Sequence, residues 1–251
     1  MSKIALVTGG SRGLGKDMAL NLAKKGLDVV LTYHSKKEEA DKVVAEIEGM
    51  GQKAHALQLD SGKTGTFDSF FGELLSGLSS KFNTDKFDFL VNNAGIGFTA
   101  VFAETTEEQF DSLVNIQFKG PFFLTQKALP YMNDNGGIVN ISTGLTRIIL
   151  PYYPAYSSAK AAMENLTKYL AKDLGGRGIR VNIVAPGAIE TDFAGGMVRD
   201  NSEMNEHIAS QTALGRVGLP TDIGSVVAFL CTDDAKWITA QRIEVSGGQM
   251  L

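Results

Sequence analysis

The stretch that most constrains the fold is Thr8-Gly9-Gly10-Ser11-Arg12-Gly13-Leu14-Gly15. Before it lies a short apolar run, Lys3 to Thr8, that reads as a strand. After it comes an apolar-periodic run, from about Leu14 to Lys25, that reads as a helix stopped by Gly26. Glycines between a strand and a helix tighten the turn, let the backbone approach a pyrophosphate and permit close helix–sheet packing. The helix start behind them offers N–H donors and partial positive charge.

The alternation continues along the chain. Asp28 to Tyr33 reads as a second strand. Lys36 to Glu48 reads as an amphipathic helix with Ala40, Val43, Val44 and Ile47 on one face. Lys53 to Leu59 is the third strand, and a helix near Thr66 to Leu78 follows in a segment, Ser61 to Lys86, rich in Ser, Gly, Thr and Phe. Phe87 to Val91 is the fourth strand, Glu107 to Met132 a long helix, and Gly137 to Ser142 the fifth strand. A helix carrying Tyr156, a sixth strand from Ile179 to Ala185, a long excursion from Pro186 to Thr221, a helix from Asp222 to Cys231 and a strand from Arg242 to Val245 complete the order. Strands and helices of these lengths predict a single α/β domain over residues 1–251. Its fold is a doubly wound Rossmann fold with a parallel sheet of about seven strands, covered on both faces. Residues of about 187–220 are the expected substrate loop.

Composition narrows the function classes. Hydrophobic residues at 43% and charged residues at 21% suit a chain that buries a full core. A net charge of −4 gives no reason to expect nucleic acid or an anionic membrane as partner. The one cysteine, Cys231, excludes an intrachain disulfide and lies in an apolar run, as a buried thiol would. No charged-then-apolar leader or bilayer-length apolar run is seen, so a cytoplasmic location is expected. His34, His55 and His207 are scattered, and no metal-ligand spacing emerges.

Tyr156-Ser-Ser-Ala-Lys160 opens a run in which Ala159, Ala162, Met163, Leu166, Tyr169, Leu170 and Leu174 recur at helical spacing. Positions four apart share a helix face, so the ammonium sits near the phenol. A free phenol, with pKa ~10, is a poor proton shuttle at neutrality. A fixed cation favours phenolate, and a depression of ~3 units takes about 4 kcal/mol of differential interaction.

With the glycine turn, Asn92-Asn93-Ala94-Gly95 after the fourth strand, Asn115, Ser142, Tyr156, Lys160 and Pro186-Gly187 with Thr191, the chain resembles the short-chain dehydrogenase/reductase family along essentially its whole length. The glycine spacing is Gly-x-x-x-Gly-x-Gly. The resemblance implies a catalytic set of Asn115, Ser142, Tyr156 and Lys160, with Ser142 steadying a substrate carbonyl, Asn115 holding a water that links Lys160 to solvent, and Thr143 as a weaker substitute for Ser142. It implies that Gly9, Ser11, Gly13, Leu14 and Gly15 hold the pyrophosphate. Asp60 holds the adenine amino group, with Ser61 adding a backbone contact, and Asn92, Ala94 and Gly95 line the adenosine ribose. Pro186, Gly187 and Ile189 pass the nicotinamide carboxamide, Thr191 reaches the cofactor, and Tyr156 and Lys160 contact it too. The end of the second strand, Tyr33-His34-Ser35-Lys36-Lys37, has no carboxylate to repel a 2′-phosphate. With Arg12 and His34 as candidate phosphate ligands, and Ser35 beside them, the expected cofactor is NADP(H). Lys36 and Lys37 read as a solvated helix start.

The expected activity is NADPH-dependent interconversion of a carbonyl and a secondary alcohol, with 3-oxoacyl thioesters as the nearest family substrate. Two other readings stand beside it. Enoyl reductases of the family set six residues between tyrosine and lysine, as Tyr153 and Lys160 have here. A non-catalytic NADP-binding sensor would use the same fold. Phe110, Val114, Phe118, Phe122 and Leu129, with Ile116 and Phe123 turned away from them, make the long helix apolar on nearly all sides. Paired with Ala161 and Ala171 of the next helix, that surface predicts a homotetramer.

Overall fold

The computed structural model describes residues 2–251. Strands β1 (Ile4–Val7), β2 (Asp28–Tyr33), β3 (Ala54–Gln58), β4 (Phe87–Asn92), β5 (Met132–Ile141), β6 (Arg180–Pro186) and β7 (Arg242–Val245) form one sheet in the order β3-β2-β1-β4-β5-β6-β7. Every pairing is parallel. Strand order reverses direction at β1, which lies between β2 and β4, so a crevice opens beyond the carboxyl ends of β1 and β4.

The pleat of the strands divides the core in two. Ala5 and Val7 face helices α1 (Gly13–Lys24) and α2 (Lys37–Gly49), joined there by Val29, Leu31, Val43 and Ile47. Ile4 and Leu6 face the other way, toward α3 (Phe67–Gly77), where Val30, Phe67, Phe70, Phe71 and Leu74 pack.

The predicted helix from Glu107 to Met132 is interrupted. The chain forms α4 (Glu107–Val114), a π-helical turn Asn115–Lys119, and α5 (Gly120–Ala128), then reaches β5 already at Met132. Gly120 donates its N–H five residues back to the Asn115 carbonyl, and Pro121 has no N–H to give. Gly120 also lies so close to the Ser61 carbonyl that a Cβ there would overlap it. Next comes α6 (Pro154–Leu174), which carries Tyr156 and Lys160 on its first two turns. The excursion after β6 folds into α7 (Met197–Asp200) and α8 (Ser202–Ser210). Then α9 (Pro220–Leu230) starts two residues before the predicted Asp222, with Pro220 in its first turn and the Asp222 carboxylate accepting from Leu219 N–H at 2.7 Å. On α6, Ala171 is buried in the core, contrary to its predicted place on the outer surface, whereas Tyr169 is exposed. Among the described residues, no helix is long and apolar enough to cross a membrane.

Candidate active site

Thr8 ties the glycine turn to β4. Its hydroxyl accepts from Asn93 N–H (3.0 Å) and Ala94 N–H (2.9 Å), and Asn93 Nδ2 donates to the carbonyls of Thr8 (2.8 Å) and Gly9 (3.2 Å). Gly9 takes a left-handed conformation at φ 66°, and a Cβ on Gly15 would overlap the Gly9 carbonyl. The turn is therefore closed by backbone against backbone. Helix α1 begins behind it at Gly13 with no side-chain cap and no acidic residue in its first turn. Its leading N–H groups, from Gly13, Leu14 and Gly15, thus lack a side-chain acceptor and suit an anion. Ser11 is buried in the turn. Arg12 is exposed and reaches Asp192 Oδ2 at 3.5 Å across the crevice.

At the rim, His34 and Ser35 are exposed. His34 Nε2 lies 3.6 Å from Asp60 Oδ2, and Lys63 Nζ approaches the same oxygen at 3.3 Å. Lys63 is a basic group at this rim that the sequence reading passed over. Asp60 Oδ1 accepts from Gly62 N–H (3.0 Å).

The Asn92 side-chain amide is buried and donates to Thr125 Oγ1 (3.0 Å) and Asn140 Oδ1 (2.8 Å), which leaves its backbone for the crevice, because the last residue of β4 points into the protein and the next one, Asn93, points to the glycine turn. Ala94 and the exposed Gly95 remain at the crevice. Behind Gly95 the buried Gln117, from the π-turn, donates to the Ile96 carbonyl while its own side-chain oxygen has no protein partner. Asn115, at the start of that turn, is half-buried.

Ser142, the hydroxyl expected at the substrate carbonyl, has a different partner. Its hydroxyl is buried and donates to Glu164 Oε1 at 2.5 Å, away from Tyr156. The hydroxyl that acts on the Tyr156 phenol is that of its neighbour Thr143, which also accepts from Leu145 N–H at 3.3 Å. Thr143 is extended at φ −157°, ψ 154°, so neighbours in the chain point to opposite sides, and a one-residue difference exchanges their roles.

Tyr156 and Lys160 are both buried, and Lys160 Nζ lies 5.9 Å from the centre of the Tyr156 ring. Lys160 donates to the Ile141 carbonyl at 2.8 Å. Burial pushes its pKa down from 10.5 to about 7. Burial also drives the Tyr156 phenol above its ordinary range, against a smaller lowering by Thr143. A neighbouring ammonium alone would depress the phenol. Burial is instead the largest influence on it, and it favours the neutral phenol.

Beyond β6, the buried Pro186 leads into Gly187, where Ala188 N–H donates to Gln249 Oε1 at 3.1 Å. Ile189 pairs with Gly218 in an isolated bridge. Thr191 Oγ1 accepts from Phe193 N–H (3.1 Å). Phe193, unmarked in the sequence, lays its ring 5.6 Å from that of Tyr156 and packs on Gly97, where a Cβ would overlap it. Ala194, Gly195 and Gly196 follow in left-handed conformations.

A glycine cradle at a free helix start, set beside a buried tyrosine–lysine pair at the carboxyl edge of a doubly wound sheet, defines a dinucleotide-dependent oxidoreductase. A family model described as Enoyl-(Acyl carrier protein) reductase matches residues 9–250. The chain is 38% identical over 253 residues to the 3-oxoacyl-[acyl-carrier-protein] reductase FabG of Staphylococcus aureus, covering 100% of this chain and 99% of that protein. Among solved structures, the promiscuous reductase LugOII, which catalyses keto-reduction at C1 in lugdunomycin biosynthesis, is 41% identical with a TM-score of 0.93, covering 99% of this chain and 97% of that one. The angucycline C-6 ketoreductase LanV with bound NADP is 38% identical with a TM-score of 0.94, covering 99% and 95%. The chain belongs to the short-chain dehydrogenase/reductase family.

Proposed function

We propose that the chain is an NADP(H)-dependent ketoreductase that interconverts a carbonyl and a secondary alcohol. The observation that carries this reading is the buried pair of Tyr156 and Lys160 on successive turns of α6, with Lys160 Nζ 5.9 Å from the centre of the tyrosine ring. The uncapped start of α1 and the close-packed glycines fit a pyrophosphate, which Gly9, Ser11, Gly13, Leu14 and Gly15 would hold. Arg12 and His34, with Ser35 nearby, would meet the 2′-phosphate. Asp60 and Ser61 would take the adenine, Ala94 and Gly95 the ribose, and Pro186, Gly187, Ile189 and Thr191 the nicotinamide end. NADPH, when bound, supplies the hydride. Tyr156 gives its proton to the carbonyl oxygen, and Thr143, in the part first given to Ser142, donates a hydrogen bond to that oxygen. Lys160 would contact the nicotinamide ribose and, with Asn115 holding a water, would return a proton to the phenol. The segment of about 187–220, with Phe193, covers the substrate.

Within this class, 3-oxoacyl thioesters are the proposed substrates, supported by the full-length likeness to FabG. A second reading, enoyl reduction, is favoured by Tyr153, half-buried with its ring 6.5 Å from that of Tyr156. Following NADPH oxidation with a 3-keto thioester, a polycyclic aromatic ketone and a 2-enoyl thioester separates these readings. Turnover of the enoyl compound alone would overturn the ketoreductase. Thr143→Val is expected to lower kcat about 10²-fold and Ser142→Ala far less. The opposite ranking would return the role to Ser142. A homotetramer in the cytoplasm belongs to the same reading, its assembly supported by the exposed rings of Phe110, Phe122, Phe123 and Tyr169 on α4, α5 and α6. A monomeric mass by light scattering would sink the tetramer.

A further inference from the structure

A cluster outside the tyrosine–lysine pair grips the loop that carries Thr143. One oxygen, Glu164 Oε1, accepts from Ser142 Oγ (2.5 Å), Thr146 Oγ1 (2.7 Å) and Arg242 Nε (2.8 Å). Arg242 comes from β7 and also donates through Nη2 to Thr146 Oγ1 (3.0 Å) and to the Thr143 carbonyl (3.3 Å). Its Nη1 meets Glu244 Oε2 at 3.0 Å, and Glu244 is itself held by Arg147 at 2.8 Å. The carboxylate of Glu164 sits one turn of α6 beyond Lys160, with its side chain and that of Arg242 18% and 24% exposed. It therefore binds both ends of the segment Ser142–Thr146 and joins it to the helix that presents Tyr156.

We propose that Glu164, braced by Arg242, is the positioning residue that sets the Thr143 hydroxyl against the Tyr156 phenol. Serine at 142 anchors the loop through Glu164, and its neighbour is thereby turned to the reacting side. Carboxylate hydrogen bonds from three donors hold a loop more narrowly than one contact would. This proposal rests on the reading of Thr143 as the hydrogen-bond donor to the substrate oxygen.

The test is a double-mutant cycle of Glu164→Ala and Thr143→Val, with Glu164→Gln as the conservative variant. Far-UV circular dichroism and NADPH fluorescence titration accompany the kinetics of each purified protein. Glu164→Ala should lower kcat at least tenfold and leave NADPH affinity within about twofold. Added to Thr143→Val it should lower kcat by less than a further threefold, because the group it positions is already gone. Glu164→Gln keeps the acceptor oxygen and should recover kcat to within about fivefold of the parent. Multiplying effects in the double variant, a harmless Glu164→Ala, or a Glu164→Gln as slow as Glu164→Ala would each overturn the positioning role. Should Glu164→Ala fail to fold, the Gln variant and its cycle with Thr143→Val decide. A fully active Thr143→Val would instead overturn the Thr143 assignment, and this proposal with it.

Discussion

Replacing Lys160 by methionine is expected to stabilise the ligand-free protein while removing its activity. The lysine is buried, and its pKa falls from 10.5 to about 7. A group whose folded pKa lies below its unfolded value binds its proton better in the unfolded chain, so protonation favours unfolding. The penalty is complete below pH 7, about 4 kcal/mol near neutrality, and it fades as pH rises from 7 toward 10.5. Methionine is unbranched and of similar length, so it fills the space. It cannot donate to the Ile141 carbonyl, and that loss takes back about 1–3 kcal/mol. The net gain is about 1–3 kcal/mol, or roughly 2–10 °C in Tm for a chain of this size. Thermal unfolding of Lys160→Met and the parent, without cofactor, at pH 6, 7.5 and 9.5 measures it. The gap should be widest at pH 6 and close toward pH 9.5. A variant that melts lower than the parent at pH 6, or a gap that widens with pH, would refute the argument that burial governs this amine.

Tyr156→Phe should bind NADPH with unchanged fluorescence titration but turn over at below about 1% of the parent rate, since a lost general acid typically costs 10²–10⁴-fold. Arg12→Ala and His34→Ala should each reduce the preference for NADPH over NADH in steady-state kinetics, and equal efficiency with both cofactors in the parent would show the rim of β2 to be misread. Asp17, on α1, is nearly buried against Gly224 of α9, and burial raises its carboxyl pKa. Its ionised form therefore opposes folding above that pKa, so Asp17→Asn should raise Tm at pH 7, with the advantage shrinking as the pH falls toward 4.

The elements that place the site were readable because their signals are local. The glycines between β1 and α1 declare a turn by their chemistry, and Tyr156 and Lys160 share a face by helical spacing alone. What escaped was set by distant partners. Ser142 and Thr143 are adjacent hydroxyls, and which one faces the phenol depends on Glu164 and on Arg242 in the last strand. Asn92 and Asn93 divide their duties by the same alternation, decided where β4 meets Thr8, Thr125 and Asn140. The Gly120-Pro121 pair did carry a signal for the break between α4 and α5, which apolar periodicity alone concealed. Phe193 lies in a segment without clear periodicity, and its ring meets Gly97 from a part of the chain nearly a hundred residues earlier.

The excursion after β6 is pinched where it leaves and re-enters the body, and it is tied a second time where Ala213 and Leu214 N–H donate to the Gly248 and Gly247 carbonyls at 3.2 and 3.0 Å. Glu190 N–H donates to the Gly218 carbonyl at 3.0 Å, Gly218 N–H returns to the Ala188 carbonyl at 2.9 Å, and a Cβ on Gly218 would strike the Ile189 side chain. Residues between these positions form a petal whose two ends are already clasped. Lengthening such a petal adds little closure entropy, about 0.6 kcal/mol for each doubling, and disturbs no sheet register. Thr143, Tyr156 and Lys160 belong to β5's outlet and α6, outside it. The petal reaches them through the Phe193 ring, 5.6 Å from that of Tyr156, and the Asp192 carboxylate, 3.5 Å from Arg12, so a petal of another length that keeps these two contacts leaves the pair and the cradle in place.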